Sequence, residues 1–166
     1  MVTFAYLDKG ERGVWLPRLF DILYRNMHLI APVEGTYELE RAIWLSEVSL
    51  ALEKEPRKII LCFLDDELIG FVQYYIRDAL LMVEELQLAR EYHATSLFYS
   101  FCKFFASQLP EELRLIEAYA DRRNLASQKL MKKLGMLPIE DGEGTPFLHF
   151  RGDIWKIRNF FGTRKP

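Results

Sequence analysis

Three apolar segments follow one another almost without interruption: Ile59–Leu64, Leu68–Ile76 and Leu80–Leu88. The breaks between them, at Asp65-Asp66 and Arg77-Asp78, are too short for a crossover helix. Consecutive strands joined so tightly must run antiparallel, so the centre of the chain is read as a β-meander. Ile59–Leu64 is apolar at every position, the pattern of a strand covered on both faces.

Helical periodicity flanks this block. Trp15, Leu16, Leu19, Phe20, Leu23, Met27 and Ile30 recur at three- and four-residue spacing and stop at Pro32. A second helix is expected over Tyr37–Lys54, with Trp44, Leu45, Val48, Ala51 and Leu52 as its stripe. Val2–Leu7 reads as a first strand closed by Asp8-Lys9-Gly10. Beyond the meander the pattern predicts a helix over Ala94–Leu109 and a strand over Leu113–Ala120. A helix capped by Asn124 and stopped by Gly135 follows, then a last strand-like region over Phe147–Ile157. The resulting order, βααβββ-α-β-α-β(β), is an α+β fold with a mixed, mainly antiparallel sheet of six to seven strands and about four helices. With no repeat, linker or low-complexity tract, residues 1–166 read as a single domain.

Composition narrows the function. Half the residues are hydrophobic and 14% aromatic, which excludes intrinsic disorder. Lys+Arg total 22 against 24 Asp+Glu, a net charge of −2, so no basic excess marks a nucleic-acid binder. No apolar run reaches the roughly 20 residues of a membrane helix, and the first ten residues lack a signal-peptide core. The expectation is a cytoplasmic protein. Cys62 and Cys102 sit in apolar stretches and form neither a disulfide framework nor a metal site. His28, His93 and His149 are too dispersed to imply a metal cluster, and no P-loop, GxGxxG or HExxH pattern occurs.

The most informative stretch is Glu84-Glu85-Leu86-Gln87-Leu88-Ala89-Arg90-Glu91-Tyr92-His93-Ala94-Thr95-Ser96. A strand ends and a helix begins on small polar residues, leaving backbone amides at a positive helix end where an anion can sit. An ordinary capped strand–loop–helix link, with Thr95 or Ser96 as the cap, accounts for the same residues.

This stretch resembles the fourth strand and following helix of the GNAT acetyltransferase superfamily, where a strand ending L-x-V leads into a Q/R-x-x-G-x-G/A loop. Leu86-Gln87-Leu88 falls on the strand, Glu91-Tyr92 on the acidic-aromatic pair, His93 on the Gln/Arg, Ser96 on the first glycine and Phe98 on the last position. The segment Asn124 to Met136 is similar to the family's N-x-x-A/S-x-x-x-Y-x-x-x-G-F, through Asn124, Ser127, Gly135 and Met136. The element order matches over about residues 2 to 157.

The resemblance implies an N-acetyltransferase that moves the acetyl group of acetyl-CoA to a primary amine of a small molecule or peptide. Leu86, Gln87 and Leu88 would pair with the pantetheine arm. The amides of His93, Ala94, Thr95, Ser96, Leu97 and Phe98 would hold the pyrophosphate, and Asn124 would approach the reactive end. Glu85, or its neighbour Glu84, would serve as general base. The acceptor would be set by the first two helices, with Trp15, Tyr24, Met27, His28 and Trp44, and by the Glu140-Asp141-Gly142-Glu143 turn. Two departures favour an alternative, a GNAT-fold interaction protein without cofactor. Phe98 replaces the small residue of the loop, and Met131 stands where the family has a proton-donating tyrosine. Tyr92 and Tyr119 are the nearby phenols. The aromatics of the first helix suit a core or a homodimer contact. Arg151, Lys156, Arg158, Arg164 and Lys165, interleaved with Trp155, Phe160 and Phe161, read as a partly ordered tail rather than an RNA contact.

Overall fold

The computed structural model of the protein describes residues 1–54, 56–139 and 144–163. The elements are β1 (Val2–Tyr6), α1 (Arg12–His28), α2 (Tyr37–Lys54), β2 (Arg57–Leu64), β3 (Glu67–Arg77), β4 (Leu80–Leu88), α3 (Ser96–Ser107), β5 (Leu115–Asp121), α4 (Leu125–Lys133), β6 (Leu137–Ile139), β7 (Phe147–Asp153) and α5 (Ile154–Phe161). The seven strands form one sheet in the order β1-β2-β3-β4-β5-β7-β6. The pairs β1–β2, β2–β3, β5–β7 and β6–β7 are antiparallel, and β4–β5 is parallel. The α+β architecture expected from the sequence is therefore present, with seven strands and five α-helices among the described residues. Among the described residues no helix is long and apolar enough to cross a membrane.

The turns explain the meander. Asp65 and Asp66 both take positive φ, +48° and +68°, which matches the backbone twist of a two-residue hairpin. The next turn lies one residue later than expected. Arg77 still belongs to β3, and Asp78, at φ +54°, makes the bend.

Two compact units divide the chain: Met1–Tyr75 with Glu85–Ala94, and Ile76–Glu84 with the chain from Thr95 onward. In the first, Leu16 and Leu19 of α1 and Val48 of α2 pack on Ile59 and Leu61 of β2 and Phe71 of β3. Trp15 joins them, its ring edge-on to Phe63 at 5.2 Å. α2 buries only Val48 fully, while Leu39, Ile43 and Leu50 remain exposed.

Gly70 in β3 belongs to this unit and faces the last residues of β4. A β-carbon there would lie 2.6 Å from the Gln87 carbonyl oxygen and 3.1 Å from Leu88 Cα. Those are backbone atoms, which cannot swing aside. Gly70→Ala is expected to cost about 2–3 kcal/mol of stability, read as a lowered urea midpoint, because the clash forces the strands apart.

In the second unit α3 buries Phe101, Cys102, Phe105 and Ala106. α5 corrects two expectations. The strand-like region ends at Asp153, not Ile157, because Ile154, Ile157 and Phe161 are spaced for a buried helical face. Of the residues read as a tail, Arg151 lies in β7, and Trp155, Lys156, Arg158, Phe160 and Phe161 lie in α5. Tyr99 of α3 packs on Phe161 at 5.3 Å, and Gly162 at φ +62° closes α5. Arg164 and Lys165 lie outside the described residues. Cys62 and Cys102 are buried free thiols, pushed up to about 12 by burial and so inert at neutral pH.

Candidate functional site

The end of β4 is held by side chains from elsewhere in its own unit. Asn26, buried on the last turns of α1, donates through Nδ2 to the Leu88 carbonyl at 2.8 Å and to Gln87 Oε1 at 3.0 Å. Gln87 in turn donates through Nε2 to Glu85 Oε2 at 2.9 Å. Residues 85 and 87 share a strand face, as the two-residue period requires, and Glu84 points to the other. A buried asparagine therefore orients a glutamine, and the glutamine orients a carboxylate. Glu85 and Gln87 are half-buried. His93 Nε2 lies 2.7 Å from the same Leu88 carbonyl, so that nitrogen carries the ring proton.

The loop that follows makes one 3-10 turn over Arg90–Tyr92, with the His93 amide donating to the Arg90 carbonyl at 3.1 Å. Ala94 then adopts φ +57°. An L-residue pays about 1–2 kcal/mol for that conformation, which glycine takes freely. Residues held so often mark functional loops. Thr95 occupies the N-cap of α3 without a side-chain capping bond. The first-turn amides of α3 have no intrahelical acceptor, and Ala94, Thr95 and Ser96 are exposed. Ala94→Gly is expected to raise stability by about 1 kcal/mol in thermal denaturation, since it relieves the strain. A loss of stability would show that Ala94 is unstrained.

In the second unit, Asn124 Oδ1 accepts from the Ser127 amide at 3.1 Å and caps α4. Asp121, at the end of β5, pairs with Arg123, whose guanidinium hydrogen-bonds hold the carboxyl below the usual carboxylate range. One polar cluster was not foreseen. Glu117 of β5 is buried and meets His149 Nε2 at 2.9 Å and Arg151 Nε at 2.6 Å, both from β7. The exposed ring of Tyr119 stacks on His149 at 4.3 Å and 15°. Glu117 and Tyr119 share a face of β5, opposite Arg151 and His149 in register. An acid inside an apolar strand was the available signal.

No family model matches this chain, and no curated protein matches it in sequence. Its backbone, however, matches many solved structures. An acetyltransferase from Thermus thermophilus superposes with a TM-score of 0.71 at 17% identity, covering 92% of this chain and 97% of that one. An acetyltransferase of the GNAT family from Staphylococcus aureus gives 0.69 at 8% identity, covering 93% and 99%. The PaiA N-acetyltransferase from Thermoplasma acidophilum, solved in complex with coenzyme A, gives 0.65 at 16% identity, covering 92% and 99%. The chain has the GNAT acetyltransferase fold.

Against the GNAT pattern the residues sort clearly. Leu86, Gln87 and Leu88 form the end of β4, and His93 to Phe98 run through the loop into the first turn of α3. Phe98 is half-buried, as is Met131 within α4. Of the residues assigned to the acceptor region, Trp15 and Trp44 both pack against the core, and Tyr24, Met27, His28 and Trp44 line a common recess between α1 and α2. The Glu140-Asp141-Gly142-Glu143 turn lies outside the described residues. Among the described residues no three His, Cys, Asp or Glu side chains are grouped to hold a metal ion.

Proposed function

We infer that the protein is an N-acetyltransferase that moves the acetyl group of acetyl-CoA to a primary amine by direct attack. The observation that carries this reading is the loop after β4. Without a glycine, it still places Ala94 in the left-handed region and presents small, exposed residues at the start of α3. A diphosphate needs several amides without side chains in the way; in this reading the segment from His93 to Phe98 holds it through the amides after His93, whose own amide is bonded to the Arg90 carbonyl. Leu86, Gln87 and Leu88 offer the adjoining backbone for the pantetheine arm. Asn124 caps α4 and approaches the reactive end.

Acetyl-CoA supplies an acyl thioester. Glu85 takes the proton the amine must lose, directly or through one water, and Gln87 holds its carboxylate in place. Glu84 is the second carboxylate available for this role. A backbone amide of the Leu86–Leu88 segment donates to the negative charge that develops on the carbonyl oxygen. The GNAT tyrosine is replaced by Met131, which donates no proton; Tyr92 and Tyr119 are the phenols left to serve the departing thiolate. We place this chemistry in the cytoplasm.

Phe98 and Met131 support a second reading, a GNAT-fold interaction protein without acetyl-CoA. Calorimetric titration with acetyl-CoA separates the two. The enzyme reading expects micromolar binding, about −8 kcal/mol. No heat at millimolar ligand would establish the second reading. Phe98→Gly is expected to tighten acetyl-CoA binding about tenfold, because it removes bulk where the loop must approach the pyrophosphate. An unchanged affinity in a folded variant would mean that Phe98 lies away from the ligand.

A further inference from the structure

The helix that carries Asn26 also forms one wall of a recess of about 210 Å³, bounded by Ala31 and Val33 and by Glu40, Ile43, Trp44 and Glu47 of α2. Its walls are Phe20, Tyr24, Met27 and Trp44. The rings form one cluster: Phe20 lies 5.6 Å from Tyr24 and 5.8 Å from Trp44. Tyr37 completes it, 5.0 Å from Tyr24, with its hydroxyl donating to Asp21, which keeps that phenol protonated and that carboxylate occupied. Such walls favour a flat or branched apolar body. A cavity of about 150 Å³ takes one benzene, so this one holds roughly six to ten non-hydrogen atoms.

Two carboxylates line the same space. Glu40 and Glu47 are seven residues apart on α2 and so share a helix face. Neither forms an ion pair among the described residues, and no Lys or Arg lines the recess. His28 also lines the recess, stacked on Tyr24 at 5.1 Å; apart from that imidazole, an anion would meet only carboxylates as charged groups among the described lining residues. A cation would meet two carboxylates and the faces of aromatic rings, both of which attract it.

We propose that this recess binds a primary amine carried on an aromatic or branched apolar body, rather than a polyamine or an amino sugar. The binding site stands on the recess itself, independently of the acetyltransferase reading above. The ammonium lies toward Glu40 and Glu47, and the apolar body lies among Phe20, Tyr24 and Trp44.

Calorimetry on the full chain, without acetyl-CoA, tests this with four probes: 2-phenylethylamine, 2-phenylethanol, spermidine and glucosamine. The first is expected to bind at least tenfold tighter than each of the others. The double variant Glu40→Gln/Glu47→Gln is expected to lose that advantage over 2-phenylethanol, and Trp44→Leu to weaken binding tenfold. Because Glu47 is exposed and Glu40 only half-buried, the double variant keeps its fold, checked by its thermal midpoint. Equal or tighter binding of spermidine or glucosamine would overturn the proposal. So would equal binding of the alcohol, indifference to the double variant, or no binding by 2-phenylethylamine. Failure of acetyl-CoA to bind would instead sink the acetyltransferase reading and leave these binding data in place.

Discussion

Replacing Glu85 by Gln is expected to lower kcat roughly 10²–10⁴-fold while leaving acetyl-CoA affinity and thermal stability close to those of the parent. The carboxylate is half-buried and its Oε2 accepts from Gln87 Nε2 at 2.9 Å. A glutamine has the same shape and can still pair with Gln87, so the fold keeps its contact. It cannot take the proton that the amine must lose, so only chemistry suffers. Gln87→Leu gives the matching control. It retains the base and removes the group that orients it, so a loss of about tenfold in kcat, smaller than that of Glu85→Gln, is expected. The assay follows free thiol release with the best amine from a panel. If Glu84→Gln abolishes turnover while Glu85→Gln does not, the two carboxylates exchange roles.

Legibility in the sequence followed the range of the interactions. The meander was readable because apolar runs ended on aspartates, and Asp65-Asp66 took the backbone angles such a turn needs. The α1 stripe was readable because Leu16, Leu19 and Phe20 obey one period. α5 was hidden because the apolar pattern continues through Asp153, so strand and helix merged into one run. The strained Ala94 was hidden for a different reason. No glycine stands there to announce a positive φ, and the surrounding chain imposes that conformation on alanine. The Asn26–Gln87–Glu85 relay joins residues 61 positions apart, and no local pattern announces it. The segment from Leu86 to Phe98 could be singled out by resemblance, but what holds it in shape could not.

The largest stability effect is expected at Glu117. This carboxylate is 5% exposed and accepts from His149 through one oxygen and from Arg151 through the other. Glu117→Ala should destabilise the protein by about 3–5 kcal/mol, the usual cost of removing one partner from a buried charged network. The cost falls mainly on His149. Its side chain is 9% exposed, against 49% for Arg151, whose guanidinium can turn to water. Arg151→Met should therefore cost less than about 1 kcal/mol. Pairing Glu117→Ala with His149→Phe should recover part of the loss, because the buried imidazole no longer needs that partner. Urea denaturation of the four chains measures all of this. A Glu117→Ala loss below about 1 kcal/mol would mean that the network contributes little and that packing alone holds β5 to β7. The functional consequence lies in Tyr119, whose ring rests on His149. If its phenol serves the departing thiolate in place of the tyrosine missing at Met131, Tyr119→Phe should lower kcat without the stability loss of Glu117→Ala.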